Sequence, residues 1–227
     1  MHKVFLYLFL LFIPASFSSM SRPEPRTSVT SSCRQLYVEM ELAGVVNYAA
    51  FEQAVAGYNK ITQKDKEILT LVDFSKPSTE ERFYVFDMRH KKLLFSSLVS
   101  HGKNSGGNYA TSFSNENGSL KSSLGFFLTE NTYQGKNGYS LVLNGLEKGI
   151  NDRARERAIV MHGAAYADPS VVSRGGRLGR SFGCPAVPQK LSRPIIDAIK
   201  GGSVMYIYAE TPDYLAHSSV LKDADGL

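Results

Sequence analysis

The sequence predicts a single, mostly β domain with a few peripheral helices. Its 227 residues are enough for one packed domain and few for two. Several short segments are rich in β-branched and aromatic residues and are bounded by charged residues, Pro, Ser or Gly, as strands usually are. The predicted strands are residues 68–73, 83–87, 93–99, 124–129, 140–143, 158–161 and 203–209.

Two helical regions flank these strands. Asn47 can cap a helix that runs to about Lys60, and short helical segments follow Pro188 and end at Gly201. The first helix carries one apolar stripe with the spacing of a helix face, made of Phe51, Ala54, Val55 and Tyr58. The stripe indicates that this helix packs on the core.

The N-terminus has the features of a secretory signal peptide. Lys3 precedes an apolar run over residues 4–13, and small residues follow up to Ser19. A membrane-spanning helix needs roughly 20 apolar residues, and this run is shorter. We therefore expect residues 1–19 to be removed, with no stable membrane span afterwards and a location in the periplasm or cell envelope.

Composition divides the rest of the chain. Residues 20–34 are rich in Ser, Thr and Pro and predict a disordered leader, 35–67 an N-terminal helical segment that packs on the domain, 68–209 the main domain, and 210–227 a C-terminal tail. Cys33 falls in the leader, so a disulfide with Cys184 is not expected although exported cysteines often pair.

The net charge suits an anionic partner. It is +5, with an isoelectric point near 9.1. The basic residues form no long run and no nucleic-acid-binding motif, so nucleic acid is not the favoured partner. A carboxylate-rich extracellular polymer fits the charge equally well.

One constellation predicts chemistry. A strand ending in His162-Gly163 is followed by a basic loop, 164–180, and then by Ser181-Phe-Gly-Cys184. A thiol attacks a carbonyl carbon as thiolate, and a free cysteine has a pKa near ~8.5, so a base must assist it. His162 can be that base. Gly183 would let the backbone turn so that the N–H groups of 183 and 184 face a developing oxyanion.

This constellation resembles the catalytic signature of bacterial cell-wall L,D-transpeptidases, in which a strand-end His-Gly is followed by Ser/Thr-His-Gly-Cys. Further segments are similar to one branch, the murein L,D-transpeptidase catalytic-domain-like proteins: 100–106, 113–115, 118–119, 121–128 and 183–186. The resemblance covers roughly residues 68–209 and implies a β-sandwich catalytic domain there.

The resemblance implies a defined reaction. Cys184 would form a thioester with the third residue of a peptidoglycan stem peptide and release the terminal D-Ala, with His162 as acid and base and Ser181 orienting His162. An amine of another stem would then take the acyl group, giving a 3→3 cross-link. No cofactor and no metal is implied.

Three alternatives remain at this stage. An L,D-carboxypeptidase would use the same site with water as the acceptor. A zinc hydrolase would use His101, His162 and Cys184 as ligands, although such sites usually show closer spacing in sequence. A non-catalytic peptidoglycan-binding module belongs to another class.

The motif departs from the family pattern at two positions. Phe182 replaces the His before Gly-Cys, and Ala186 replaces the Arg two residues after the Cys. A substrate carboxylate then needs another partner, and arginine binds carboxylates through its planar fork. The predicted substrate-binding residues are Arg174, Arg177 and Arg180 of the basic loop, with Arg180 favoured, together with His101 and Ser123.

Overall fold

The computed structural model describes residues 27–222, which form eight strands, five α-helices and one short 3-10 helix. The strands are β1 (Ile68–Asp73), β2 (Phe83–Asp87), β3 (Lys92–Ser97), β4 (Gly125–Gly135), β5 (Gly138–Gly145), β6 (Val160–Ala164), β7 (Ala186–Pro188) and β8 (Val204–Tyr208). The helices are α1 (Thr27–Glu39), α2 (Tyr48–Lys60), α3 (Pro169–Gly175), α4 (Gln189–Ile199) and α5 (Pro212–His217), and the 3-10 helix is Ala165–Ala167.

All eight strands belong to one mixed sheet with the order β3-β2-β1-β8-β4-β5-β6-β7. The pairs β1–β8 and β6–β7 are parallel, and the other neighbours are antiparallel. The expected mostly β fold with peripheral helices is confirmed. The sandwich takes the form of one continuous hydrogen-bonded sheet, because β8 joins the β1 and β4 sides.

Helices pack on the sheet through its buried apolar side chains. Helix α2 contacts β1 and β8, and α4 contacts β5, β6 and β7. Asn47 caps α2 as expected, because its side chain accepts hydrogen bonds from Ala49 N and Ala50 N at 2.9 and 3.4 Å. Helix α2 also carries a glycine in its interior, Gly57, where a Cβ would lie 2.0 Å from Cζ of the buried Phe126 ring.

The N-terminal region differs from the expected leader. Residues 27–34, which we expected to be disordered, belong to α1, and Cys33 is only 6% exposed there. The apolar side of α1 provides the burial that composition alone did not indicate. Cys33 and Cys184 are both free. The predicted signal peptide lies outside the described residues, and within 27–222 no helix has the length and apolarity needed to cross a membrane.

The segments expected to be loop and tail contain further structure. The basic loop 164–180 includes the 3-10 helix and α3, and the tail includes α5. Two side chains near α5, Tyr214 and Ser218, donate hydrogen bonds to the buried carboxylate of Glu147. This contact attaches the C-terminal segment to the domain. Strand β7 was not predicted, because three residues are too few for a periodic signal.

Substituting Gly57 with Ala should lower the free energy of unfolding by about 1–2 kcal/mol, because the added methyl group cannot enter the space occupied by Phe126. This loss exceeds the gain of up to about 1 kcal/mol from the higher helix propensity of alanine. Urea denaturation would measure it. Gly107→Ala is the matched control, since a Cβ there meets no atom within 4 Å. An increase in stability of Gly57→Ala would contradict the packing argument.

Candidate active site

Cys184 lies in a tight turn that its own neighbours hold in place. Ser181 Oγ accepts a hydrogen bond from Gly183 N at 3.0 Å and donates one to Cys184 O at 2.6 Å. Gly183 has φ 131°, in the left-handed region that favours glycine, and a Cβ there would lie 2.9 Å from Lys121 O. The geometry of the turn therefore accounts for Ser181 and Gly183 of the Ser-x-Gly-Cys pattern.

These contacts correct two expectations. Ser181 bonds within the turn and not to His162, so its role is to shape the turn. The N–H of Gly183 is already used by Ser181, which removes it as the expected oxyanion donor. Among the described residues, no other residue accepts a hydrogen bond from the N–H of Cys184, so that group remains available. Gly183 contributes through its backbone conformation.

The thiol of Cys184 is buried against the start of β6. The residue is 8% exposed, and its Sγ accepts a hydrogen bond from Val160 N at 3.4 Å and donates one to Ala158 O at 3.8 Å. Burial raises the pKa of the thiol, and the Val160 N–H and the charge of Arg157 oppose that increase. The resting thiol is therefore protonated at neutral pH and needs a base.

His162 lies on the same strand, two residues beyond Val160. It pairs with Ser140 of β5 and with Ala186 of β7, which begins two residues after the thiol. Its Nδ1 donates a hydrogen bond to Gly163 O at 3.0 Å, so Nε2 carries the free lone pair. Burial lowers the pKa of His162 and keeps the imidazole neutral, as a general base must be.

Close packing against α4 explains why a glycine follows His162. A Cβ at Gly163 would lie 2.5 Å from Ser192 Oγ of α4, so this helix covers the sheet face on which residue 163 lies. Side chains alternate between faces along a strand, so His162 lies on the opposite face. The resting structure has no hydrogen bond between His162 and Cys184; catalytic hydrogen bonds are often completed only when substrate binds.

A cavity of about 320 Å³ lies at the start of β6, and neither His162 nor Cys184 lines it. Its lining includes Val142 and Val160, which are paired across β5 and β6 and share the His162 face. It also includes Ala158, whose carbonyl contacts the thiol. The remaining lining residues are Glu130, Asn131, Tyr133, Arg155 and Ile159. The volume is in the range of small-molecule sites, which makes the cavity a candidate binding cleft.

Two predicted substrate-binding residues are inaccessible. His101 is 1% exposed, and Arg82 Nη2 donates a hydrogen bond to its Nδ1 at 2.9 Å. Ser123 is buried, and its Oγ bonds to Ser114 O and to Arg157. Both side chains support the loops around the turn. They cannot contact a substrate from the surface, and the sequence pattern could not distinguish a supporting residue from a contacting one.

The three arginines of the basic loop have separate surroundings. Arg174 is exposed on α3 and bonds to Ser170 of its own helix, and Arg177 Nη1 donates to Leu178 O. Arg180 Nη1 donates to Lys103 O at 3.1 Å and to Gly106 O at 2.8 Å. Among the described residues, nothing accepts a hydrogen bond from its Nε or Nη2, so these donors are free to bind a ligand.

The two residues that depart from the family motif differ in exposure. Phe182 is 72% exposed, so its ring does not hold His162 in place. Ala186 is fully buried in β7, where a long side chain has no room.

A residue that sequence reasoning did not select also lies at the site. Arg157, in the turn before β6, donates hydrogen bonds to Lys121 O and Ser114 O at 2.6 and 2.7 Å. Its signal in the sequence was weak, since it is one of several charged residues in a row. Within residues 27–222, no group of three or more His, Cys, Asp or Glu side chains has the arrangement of a metal site, and His101, His162 and Cys184 form no such group.

His101 should make the stability of the protein dependent on pH. Burial, followed by the charge of Arg82, lowers its pKa from 6.5 to about 4. Between pH 4 and pH 6.5 the unfolded chain binds a proton at His101 that the folded protein does not bind. The free energy of unfolding is therefore highest above pH 6.5 and decreases as the pH falls towards 4. The shift corresponds to about 3 kcal/mol.

Urea denaturation at pH 7 and pH 4 would measure the loss of stability in the wild type and in His101→Gln, where it should be smaller by about 3 kcal/mol. Burial of His162 contributes a loss of the same sign to both proteins. His217→Gln, which changes an exposed histidine, should retain the wild-type loss. An equal loss in His101→Gln would contradict the assignment.

Comparison with known proteins gives distant structural matches. No curated protein matches the sequence. An L,D-transpeptidase from Mycobacterium smegmatis is 14% identical with a TM-score of 0.39, and the match covers 63% of this chain and 59% of that one. An L,D-transpeptidase from Stackebrandtia nassauensis is 14% identical with a TM-score of 0.37, covering 80% and 78%. The chain thus spans about three fifths of the length of the first of these structures.

A family model gives the assignment. The model of the L,D-transpeptidase catalytic domain matches residues 42–208, which is most of the chain and includes His162 and Cys184. The matched range begins before residue 68, where the resemblance seen in the sequence begins, because it also includes α2. This chain therefore belongs to the L,D-transpeptidase catalytic domain family.

Proposed function

We propose that this protein is an exported, cysteine-dependent L,D-transpeptidase that acts on peptidoglycan stem peptides. The observation that carries the proposal is the position of the Cys184 thiol against β6, the strand that also bears the neutral His162. A nucleophile and a base on adjoining backbone segments are the minimum that acyl transfer through a thioester requires. Peptidoglycan lies outside the cytoplasmic membrane, which agrees with the expected export.

The first half-reaction forms the thioester. Nε2 of His162 takes the Sγ proton, and Sγ attacks the carbonyl carbon of the third stem residue. As the bond to the terminal D-Ala nitrogen breaks, the imidazolium returns its proton to that nitrogen, and free D-Ala leaves. The available N–H of Cys184 is the protein's donor to the oxyanion that forms in between.

The second half-reaction transfers the acyl group. The amine of an acceptor stem attacks the thioester while His162 removes its proton, and the thiolate leaves and is reprotonated. A 3→3 peptide bond results. Water in place of the amine would give a tripeptide, which is the carboxypeptidase reaction.

The cleft at the start of β6 is the proposed position of the stem peptide, because Ala158 lines it and also contacts the thiol. Apolar side chains of Val142, Ile159 and Val160 line it, and Glu130 and Arg155 form an ion pair at its edge. An acyl chain lying over Ala158 would pass directly beside the thiol, because the Ala158 carbonyl contacts Sγ.

Cys184→Ala should abolish turnover of a disaccharide-tetrapeptide, because no other group can form the thioester. Mass spectrometry would identify the products of the wild type: a cross-linked dimer is expected, whereas a tripeptide would indicate a carboxypeptidase. Cys33→Ala is the matched control and should retain activity, since Cys33 lies in α1. Full activity of Cys184→Ala would overturn the proposed nucleophile, whereas no product from the wild type would favour a non-catalytic binding module.

Arg180 is the proposed partner of a stem-peptide carboxylate. Arg180→Gln should reduce kcat/KM about 10- to 150-fold, because a charge-assisted pair contributes roughly 1.5–3 kcal/mol. Steady-state kinetics with tetrapeptide would measure it. Arg89→Gln removes an equal charge from the surface at the β2–β3 turn and should have no effect. An Arg180→Gln enzyme within twofold of wild type would show that this side chain only supports the 103–106 loop.

A further inference from the structure

Arg157 lies beside the turn that carries the proposed nucleophile. A Cβ on Gly183 would lie 3.5 Å from Arg157 Nη2, and the next residue, Ala158, provides the carbonyl that contacts Cys184 Sγ. The Arg157 guanidinium therefore lies close to Gly183, and the next residues of the chain, Ala158 and Val160, contact the thiol. Arg157 is partly buried, so its charge is only partly screened by solvent.

The hydrogen-bond partners of Arg157 are all neutral. Nη1 donates to Ser114 O and Ser123 Oγ, and Nη2 donates to Lys121 O and Ser119 Oγ. No carboxylate of residues 27–222 forms an ion pair with it, although the charge of Glu116, which is paired with Arg153, acts on it through space. The two arginines that precede it, Arg153 and Arg155, do form ion pairs, with Glu116 and Glu156 and with Glu130.

These bonds decide how Arg157 can act. A guanidinium has five N–H groups, and the four on its terminal nitrogens are already used here. The fork that would bind a carboxylate is therefore not available, and what remains is the positive charge. Partial burial of a charge without a counter-ion is costly, and the cost falls when an anion forms nearby. The thiolate of Cys184 is such an anion.

The other titratable groups around the thiol carry no charge at neutral pH. Burial lowers the pKa of His162 on β6 and raises that of Tyr166 in the 3-10 helix to about 12, so both are neutral. The charge of Arg157 lowers the pKa of Cys184 against the effect of burial. Among these groups, Arg157 alone has a permanent positive charge.

We propose that Arg157 is a positioning residue whose fixed positive charge stabilises the thiolate of Cys184 through space, while its hydrogen bonds hold the 114–123 loop under the turn. The proton still passes from Sγ to Nε2 of His162. The inference rests on the proposed role of Cys184 as nucleophile. It explains how a buried thiol can ionise although the motif lacks the His that usually precedes Gly-Cys.

The pH dependence of alkylation by iodoacetamide tests this without any substrate. Peptide mass mapping would follow the adduct on Cys184 separately from Cys33. Arg157→Gln should raise the apparent pKa of the Cys184 thiol by about one unit or more, which lowers its alkylation rate at pH 7 about tenfold. Arg89→Gln, which removes an exposed charge at the β2–β3 turn, should leave the rate unchanged.

Two further variants separate charge from structure. Arg157→Lys keeps the charge and loses the fork, and should retain a thiol pKa within about half a unit of wild type. Ser119→Ala removes one hydrogen bond of the loop and should do the same. A pKa that rises equally in Arg157→Lys and Arg157→Gln, or that stays constant in Arg157→Gln, would overturn the inference.

If Arg157→Gln does not fold, Arg157→Lys and Ser119→Ala still distinguish the effect of the charge from that of the hydrogen bonds. A rise of one unit in the apparent thiol pKa of either variant would mean that the hydrogen bonds to the 114–123 loop, and not the charge of Arg157, lower that pKa. Because alkylation reads the thiol alone, a failure here is distinct from a failure of tetrapeptide turnover.

Discussion

The parallel pairing of β6 with β7 is the constraint on which the candidate site depends. His162 is paired with Ala186, and the turn that leads into β7 therefore brings Cys184 beside Val160. Neither strand holds this register alone. Helix α4 packs on β6 where Gly163 leaves room for Ser192, and the three-residue β7 is also tied to Ser100. Changes in this packing would move the base and the thiol together.

Hydrogen bonds from neighbouring serines support the turn that carries Cys184. Ser122 Oγ donates a hydrogen bond to Gly183 O and accepts one from Gly102 N, both at 3.0 Å. The N–H of Ser122 in turn bonds to Ser105 Oγ. These serines explain why the 100–106 and 121–128 segments carry family features although they are distant in sequence from Cys184. Their side chains form a buried, satisfied polar network, which stabilises one conformation of the turn.

Electrostatics then follows from burial. The thiol and the imidazole are both buried, so both are neutral at rest, and the proposed mechanism requires the thiolate–imidazolium pair to form when substrate binds. A nearby permanent charge reduces that cost without requiring a second proton transfer. Arg157 can have this role because its hydrogen bonds go to neutral oxygens and Glu116, a carboxylate whose charge acts on it, forms its ion pair with Arg153.

The sequence alone predicted all the strands except β7, the capped helix α2 and the candidate nucleophile and base, because these predictions depend on local periodicity, capping and one short motif. Only the tertiary structure showed that His101 and Ser123 are buried and support loops. It also assigned Ser181 to the turn and brought Arg157 to the site. Such roles depend on contacts between segments distant in the chain, and residue type and spacing carry no record of those contacts.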